Sequence, residues 1–503
     1  MEESLTNLQE MTVLQELKND TKPIYTAGLL RILDKYLSEC DIENAKKMFA
    51  CHREEAMKAI AQYNPTMHRI MGRRNKKRVE LDEYETNKLP RCIQRVANNT
   101  GAFFMFANNL KFTIGNKPNE AQELQPYFEL FLDFLKKHYF HEKMYEARRI
   151  AGAETECAKE YVHYRNQDGE TEVLCRLHSN SEGKTLYSLF DEYGKMMAFG
   201  ISYFLRDTNF EIEEHFDVYT SKFIWRFNKV QSNSTKKWFL LEKRDNVFKK
   251  IPIIYYHHEV DWHGAQERIE RLEWVDSKRG DTNEYFGDPY LVVTADVVNN
   301  RLADAREVGK VIVMDGADGK FEFIAPPDCG DMIQNEKDDL KGSIEQDTLT
   351  PDWSYKSIMG LGTLSGEAMR RANLPGYVKR TNFAVQVYNE LIQREINLIL
   401  AIMCNYEYLG NSEIQDGLKR LKIEFQYTDP FVGGIEDNSV EIATLVGAGV
   451  MSIRAAVDAN RHIEDKDAEY ERIWQEKERQ ALIEAKAKIE AEKITQQPTQ
   501  QED

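Results

Sequence analysis

Apolar positions along the chain follow a helical period near both ends and a two-residue period in the middle. Over residues 27–60, Leu29, Leu33, Tyr36 and Leu37 form one stripe, which Met48 and Met57 extend past a boundary at Asp41. Residues 87–112 predict a helix running into a glycine-bearing apolar turn. Residues 122–162 predict two helices: Phe128, Phe131, Phe134 and Leu135 face a core from the first, and the second carries Arg148 and Arg149. From Tyr161 the segments YVHY, VLCRLH, MMAFGISYFL, HFDVYT, FIWRF and WFLLE alternate between turn clusters, which predicts a run of antiparallel strands. Residues 264–288 then predict a charged helix with a narrow apolar edge of Ile269, Leu272 and Val275; Gly280 weakens it by about 1 kcal/mol, so packing must support it.

Residues 290–293 and 310–324 predict strands, the latter a hairpin turning at 315–319. A charged helix over 332–347 leads into a loop, 348–363, that carries Pro351, Trp353, Gly360 and Gly362. A second helical run starts at Leu364, with Ser365 as its cap and Glu367 in the first turn. Pro375 predicts a kink or break near Asn373. Beyond it, Phe383, Val387 and Leu391 recur every four residues, and 396–403 is apolar nearly all round, which requires burial. A strand over 421–428 follows, then two short helices about a Gly-Ala-Gly turn with Ser452 capping the second, and a charged helix over 465–494. Residues 1–26 form a polar arm, and 495–503 a glutamine-rich tail.

At 503 residues the chain suits two to four domains. A net charge of −17 argues against a protein that grips nucleic acid by its phosphates, although a smooth DNA passage needs no such grip. Seven scattered cysteines without a Cys-x-x-Cys pair predict reduced thiols in a cytosolic protein. No secretory signal and no membrane-spanning run is expected.

Candidate chemistry is sparse. The basic stretch Arg69, Arg73, Arg74, Lys76, Lys77 and Arg78 lacks interleaved aromatics, so it suits a solvated loop or a contact with an acidic neighbouring subunit better than DNA. The cluster His257, His258, Glu259, Asp261 and His263 follows a strand and alternates faces, which suits a polar junction better than a metal site. Gly360, Gly362 and Gly366 miss the nucleotide-loop spacing by one residue, and no Lys-Ser/Thr follows. No catalytic motif stands out. The two charged helices are acid-rich: Glu267, Glu270, Glu273, Asp276, Asp281 and Glu284 in one, Glu336, Asp338, Asp339, Glu345 and Asp347 in the other.

The order of charged helix, glycine-bearing loop, Ser365-Gly-x-Ala and kinked helix resembles the core of tailed-bacteriophage portal proteins. So do the "VYT" strand at 218–220, the closing Ile251-Pro252-Ile253-Ile254, and the pattern V-x-x-G-V-M-S-x-x-A-A-V ahead of an acidic helix. The resemblance implies an α+β portal fold that forms a ring-shaped homo-oligomer, a dodecamer. The wing spans 27–262, helical to 160 and β from 161. Stem helices at 263–288 and 331–347 flank a small β clip at 289–330. The tunnel loop is 348–363, the long kinked helix with its return strand 364–430, and the helical crown 431–494.

By that resemblance Trp353, Tyr355, Lys356, Gly360 and Gly362 line the DNA channel as its tunnel loop, with Glu267, Glu270, Glu336, Asp339 and Lys341 as channel-facing stem residues. Acid-rich walls repel phosphate, so DNA slides. The resemblance implies a virion protein at one capsid vertex, assembled in the host cytoplasm. Its partners are copies of itself, passing double-stranded DNA, the terminase large subunit, the major capsid protein, scaffolding protein and a head-completion adaptor, with no membrane, no cofactor, no metal and no catalysis of its own. The alternatives are a nucleotide-binding enzyme built on Gly360 to Gly366, and a helical scaffold or interaction protein built on residues 465–494.

Overall fold

The computed structural model describes residues 26–77, 83–165, 171–206, 211–232, 235–287, 291–294, 320–323, 330–352, 371–431, 439–459 and 466–495. They fall into two units, Met1–Pro430 and Phe431–Asp503. The amino-terminal stripe forms α1 (Thr26–Ser38), α2 (Ile42–Lys47) and α3 (Arg53–Tyr63). Asp41 caps α2, its carboxylate accepting from the Asn44 amide at 3.4 Å. After a pair of two-residue strands, β1 (Lys76–Lys77) and β2 (Glu83–Tyr84), come α4 (Ile93–Phe106), β3 (Lys111–Ile114), α5 (Pro118–Lys137) and α6 (Phe140–Glu154). One expectation is corrected here: Gly101 does not turn the chain but lies inside α4.

The middle of the chain holds β4 (Glu156–Arg165), β5 (Thr171–His178), β6 (Thr185–Phe190), β7 (Met196–Arg206), β8 (Ile212–Thr220), β9 (Phe223–Ser232), β10 (Thr235–Asp245) and β11 (Ile253–His257). They pair as a five-stranded antiparallel sheet, β10-β9-β8-β7-β6, and a three-stranded one, β11-β4-β5. Alternation gives the larger sheet two buried faces. Phe216, Val218, Trp225 and Phe227 pack on Leu33, Leu37 and Ile42 of α1 and α2. Phe199, Ile201, Tyr219 and Ile224 pack on Ala158, Ile253 and Tyr255 of the smaller sheet. Each such apolar side chain contributes roughly 1.5–3 kcal/mol on burial.

Beyond β11 the order is α7 (Gln266–Gly287), the antiparallel pair β12 (Leu291–Thr294) and β13 (Lys320–Phe323), α8 (Gly330–Asp347), α9 (Leu374–Phe383), α10 (Asn389–Ile402), α11 (Ser412–Arg420) and β14 (Ile423–Gln426). The helical path breaks at Asn373, and Pro375 occupies the first turn of α9, where it has no hydrogen bond to lose. Two π-helical turns, Ala384–Tyr388 and Met403–Glu407, flank α10. Ile392, Ile396, Ile399 and Ile402 sink α10 into the main core with Phe128, Phe131, Cys157 and Tyr256. Strand β14 returns to pair with β3, from Ile423↔Ile114 to Gln426↔Lys111. The hairpin turn at 315–319, residues 353–363 of the loop and the Ser365 cap lie outside the described residues.

The second unit contains α12 (Ser439–Gly447), α13 (Ile453–Ala459) and α14 (Lys466–Thr495). Gly449, at φ 71°, ends α12, with Val450 donating to the Leu445 carbonyl at 3.0 Å and Gly449 to that of Val446 at 3.1 Å. Ser452 caps α13, its hydroxyl accepting from the Ala455 amide at 3.2 Å. Among the described residues, no helix is long and apolar enough to cross a membrane.

Candidate channel segment and its charge centre

Helices α7 and α8 pack antiparallel, as their bonds show: Arg268 pairs with Asp347, while Arg279 donates to Gln334 at 3.2 Å. Between these ends Arg271 meets Glu336 at 2.6 Å and Lys337 meets Asp276 at 3.0 Å. The apolar edge of α7 is buried: Ala265, Ile269 and Leu272 pack with Trp262, Ala59 and Ile344.

The edge of α7 beside it is polar and equally occupied. Glu273, Asp276, Ser277, Gly280, Asp281 and Glu284 recur at helical spacing and receive the extended segment that carries the basic stretch. Arg73 pairs with Asp281 at 2.6 Å, Arg69 with Glu270 at 3.6 Å, and Arg91 with Asp276. The amides of Asn87, Leu89 and Arg91 donate to Asp281, Ser277 and Glu273 at 2.8, 3.0 and 2.7 Å. At Gly280 an added Cβ would stand 3.1 Å from Asn87, so the glycine that weakens the helix also lets this segment approach. His68 lies buried between Glu273 (2.7 Å) and the Gln62 carbonyl (2.7 Å). Burial lowers its pKa, but the Glu273 hydrogen bond and charge outweigh that, and the net direction is upward. Arg69 and Arg73 of the basic stretch thus find acidic partners within the same chain.

These pairings sort the residues of α7 and α8 singled out in the sequence. Glu270 is half-buried beside Arg69, Glu336 pairs with Arg271, and Lys341 stands 3.4 Å from Glu345 and 3.7 Å from Asp352. Glu267 and Asp339 are exposed. Glu273, Asp276 and Asp281 are buried and committed to the chain's own cations. Trp353, Tyr355, Lys356, Gly360 and Gly362 lie outside the described residues, but the start of their loop is described. Leu349 takes a left-handed φ of 49°. The Thr348 hydroxyl donates to the Ile344 carbonyl at 2.8 Å, and the Thr350 amide to that of Glu345 at 2.9 Å. The chain therefore leaves α8 through a fixed reversal.

Where α4 and α6, the entry to α7 and α9 meet, three charges are buried together. The Arg148 guanidinium on α6 grips Asp261 with two bonds of 2.8 and 2.9 Å, and Lys379 on α9 reaches the same carboxylate at 3.1 Å. Arg148 and Asp261 are fully buried, and the Lys379 side chain is 4% exposed. Lys379 also donates to the carbonyls of Ala97 (3.0 Å) and Asp261 (3.3 Å), and Arg148 lies over the Phe383 ring at 4.4 Å. Burial alone would raise the Asp261 pKa; the two cations reverse that and hold it below the ordinary value. Lys379 moves down, chiefly by burial. Next to them His258, lowered to about 3 by burial and by Arg148, is a neutral ring bonded to the Tyr388 hydroxyl at 3.0 Å.

Two glycines make room for this centre. A Cβ on Gly101 would stand 2.6 Å from an Asp261 oxygen and 2.7 Å from Arg148, and one on Gly152 would collide with Asn98, Asp261 and Arg148. The histidine-rich segment is therefore a junction, as its alternation suggests, but its working residue is Asp261. The sequence reading did not connect Arg148 or Lys379 to it. The available signals were an arginine on the face of α6 that also carries Gly152, and a lysine one turn beyond Pro375. The centre ties α6, α7 and α9 into one body and holds no solvent-accessible reactive group.

Two solved structures of low similarity resemble the chain. One, "Neck of empty GTA particle computed with C6 symmetry", is 11% identical at a TM-score of 0.35, covering 82% of this chain and 91% of that one. The other, "Neck of native GTA particle computed with C12 symmetry", is 11% identical at a TM-score of 0.33, covering 74% and 90%. No curated protein sequence matches the chain. The family described as "Phage portal protein, SPP1 Gp6-like" matches residues 43–481, nearly the whole chain, which therefore belongs to the phage portal proteins, a structural family.

Proposed function

We propose that this chain is the subunit of a portal ring, a dodecamer at one capsid vertex. The ring nucleates head assembly, docks the terminase large subunit, passes double-stranded DNA inward, retains it and later releases it, and joins the head to its completion proteins. It contacts the major capsid and scaffolding proteins during assembly in the host cytoplasm. The carrying observation is the family match over residues 43–481. The stem supports it: α7 and α8 are cross-linked by ion pairs and braced by the basic segment, so each subunit contributes a stiff helical pair to a channel wall.

In this reading Trp353, Tyr355, Lys356, Gly360 and Gly362 belong to the tunnel loop that follows the turn at Leu349. Glu267 and Asp339, exposed on the stem, face the passing duplex and repel its phosphates; Glu270, Glu336 and Lys341 border the channel while paired within the subunit. Subunits meet head to tail and close by rotation. The test is particle imaging with mass measurement of the purified protein. Rings with a central hole, at twelve times the chain mass of 58.7 kDa, support the proposal. A monomer at micromolar concentration, or an open filament, overturns it.

A further inference from the structure

Apart from the stem and its charge centre, the described residues bring together one group with the composition of a transition-metal site: His52, Glu55 and His257, whose donor atoms all lie within 4.8 Å of one another. His257 is far in sequence from His52 and Glu55, but fixed backbone holds all three. His52 immediately precedes α3, and Glu55 sits in its first turn, three residues on, so both side chains project to one side. The segment before His52 is pinned to the large sheet by a two-bond bridge between Ala50 and Ser188, at 2.8 and 3.0 Å. His257 ends β11, where it pairs in register with Glu156 of β4.

The hydrogen bonds of the surrounding fold, among the described residues, do not draw on the two rings, which stack on each other while His257 also stacks on Tyr255, centroids 5.9 Å apart. His52 occupies the cap position of α3 without making a cap hydrogen bond. Among the described residues no hydrogen bond uses the His257 ring, which instead lies against that of His52, centroids 4.1 Å apart and planes at 28°. A Glu55 carboxylate oxygen stands 3.5 Å from His52 Nδ1. Two stacked imidazoles beside a carboxylate share their charge badly when protonated and coordinate well when neutral.

We propose that His52, Glu55 and His257 bind a divalent transition-metal ion of the zinc class, using two imidazole nitrogens, one carboxylate oxygen and water in the fourth position. Bonds of about 2.0–2.2 Å in a tetrahedral site require donors about 3.3 Å apart. The observed spacing closes to that by rotating side chains that are half-buried (His52, His257) or exposed (Glu55). Two nitrogen donors favour zinc, cobalt, nickel or copper over magnesium or calcium, which take oxygen. The bound ion would fasten the amino-terminal helices to the end of β11, just ahead of the Asp261 junction.

The experiment uses the full chain without a histidine tag, titrated with zinc chloride in a calorimeter and with cobalt chloride followed by its visible absorption. Wild type is expected to take up one ion per chain, with a tetrahedral cobalt spectrum. His52→Ala and His257→Ala should each weaken binding at least tenfold, and Glu55→Gln severalfold. His263→Ala, which alters the other exposed histidine–glutamate pair (His263 to Glu259, 3.8 Å), should leave binding unchanged. Circular dichroism without metal verifies that each variant is folded. Absence of binding to wild type, or stoichiometric binding that survives both His52→Ala and His257→Ala, would overturn the proposal. Neither outcome bears on ring formation, which the imaging measures separately.

Discussion

Asp261→Asn is the sharpest test of how this fold is held. The substitution keeps shape and one acceptor oxygen but removes the single negative charge facing two buried cations, Arg148 and Lys379. Breaking one buried pair costs about 3–5 kcal/mol, because the remaining charge stays desolvated without a partner. Here two charges are left. Lys379 can relieve its part by losing its proton, since burial already lowers its pKa. Arg148 cannot. The loss should therefore stay within about 3–5 kcal/mol rather than double, which is still a large part of the ~5–15 kcal/mol that holds a typical domain folded. Lys379→Met leaves the two-bond Arg148–Asp261 pair intact and should cost less than about 2 kcal/mol. Both are read from urea denaturation followed by tryptophan fluorescence, since Trp262 is fully buried next in sequence to Asp261. Equal midpoints for Asp261→Asn and wild type, or a larger loss for Lys379→Met than for Asp261→Asn, would refute the charge-balance argument.

Gly101→Ala forces a methyl group to within 2.6 Å of Asp261 and should destabilise by about 1–3 kcal/mol in the same assay, despite the better helix propensity of alanine; a gain in stability would show that the centre has slack. His68→Gln tests the stem. A raised folded pKa means the His68⁺–Glu273 contribution is fully present below the ordinary histidine pKa of about 6.5 and is lost as pH rises through the folded value, so the variant should lose most near pH 6 and little near pH 9. A deficit independent of pH would show that the imidazole acts by packing alone. Deleting residues 354–361 in the whole phage should leave rings and proheads intact while packaging fails or DNA leaks. Unfolded or monomeric protein would make the segment structural, and normal virions would show that it is not the gate.

Periodicity made most of this architecture legible in advance. The stripe Leu29–Leu33–Leu37, the phenylalanines of α5 and the alternating strands read directly, because one face of each element meets a core. Strand β6 was missed for the same physical reason: TLYSLF is buried on both sides, so it shows no alternation. Gly101 read as a turn because glycine weakens helices, yet α4 keeps it as the only residue small enough to pass Asp261. The pairing within the charge centre was not legible, since Asp261 lies 113 and 118 residues from its two partners and only the fold brings them together; the spacing of Arg148 with Gly152 and of Lys379 with Pro375 marked the residues but not their contact. The acidic edge of α7 was more readable than its interpretation allowed. Acids at 273, 276, 281 and 284, spaced like a buried stripe, point to a partner rather than to open solvent.

That internal matching bears on how rings form. A subunit whose stem acids already face its own arginines arrives with that surface neutralised and its helix pair set, so association does not have to order it and loses less entropy in doing so. The acids paired within the subunit add little to the salt dependence of oligomerisation, which rests instead on exposed acids such as Glu267 and Asp339. In the proposed ring, the helix pair would therefore meet a passing duplex already braced from within its own subunit.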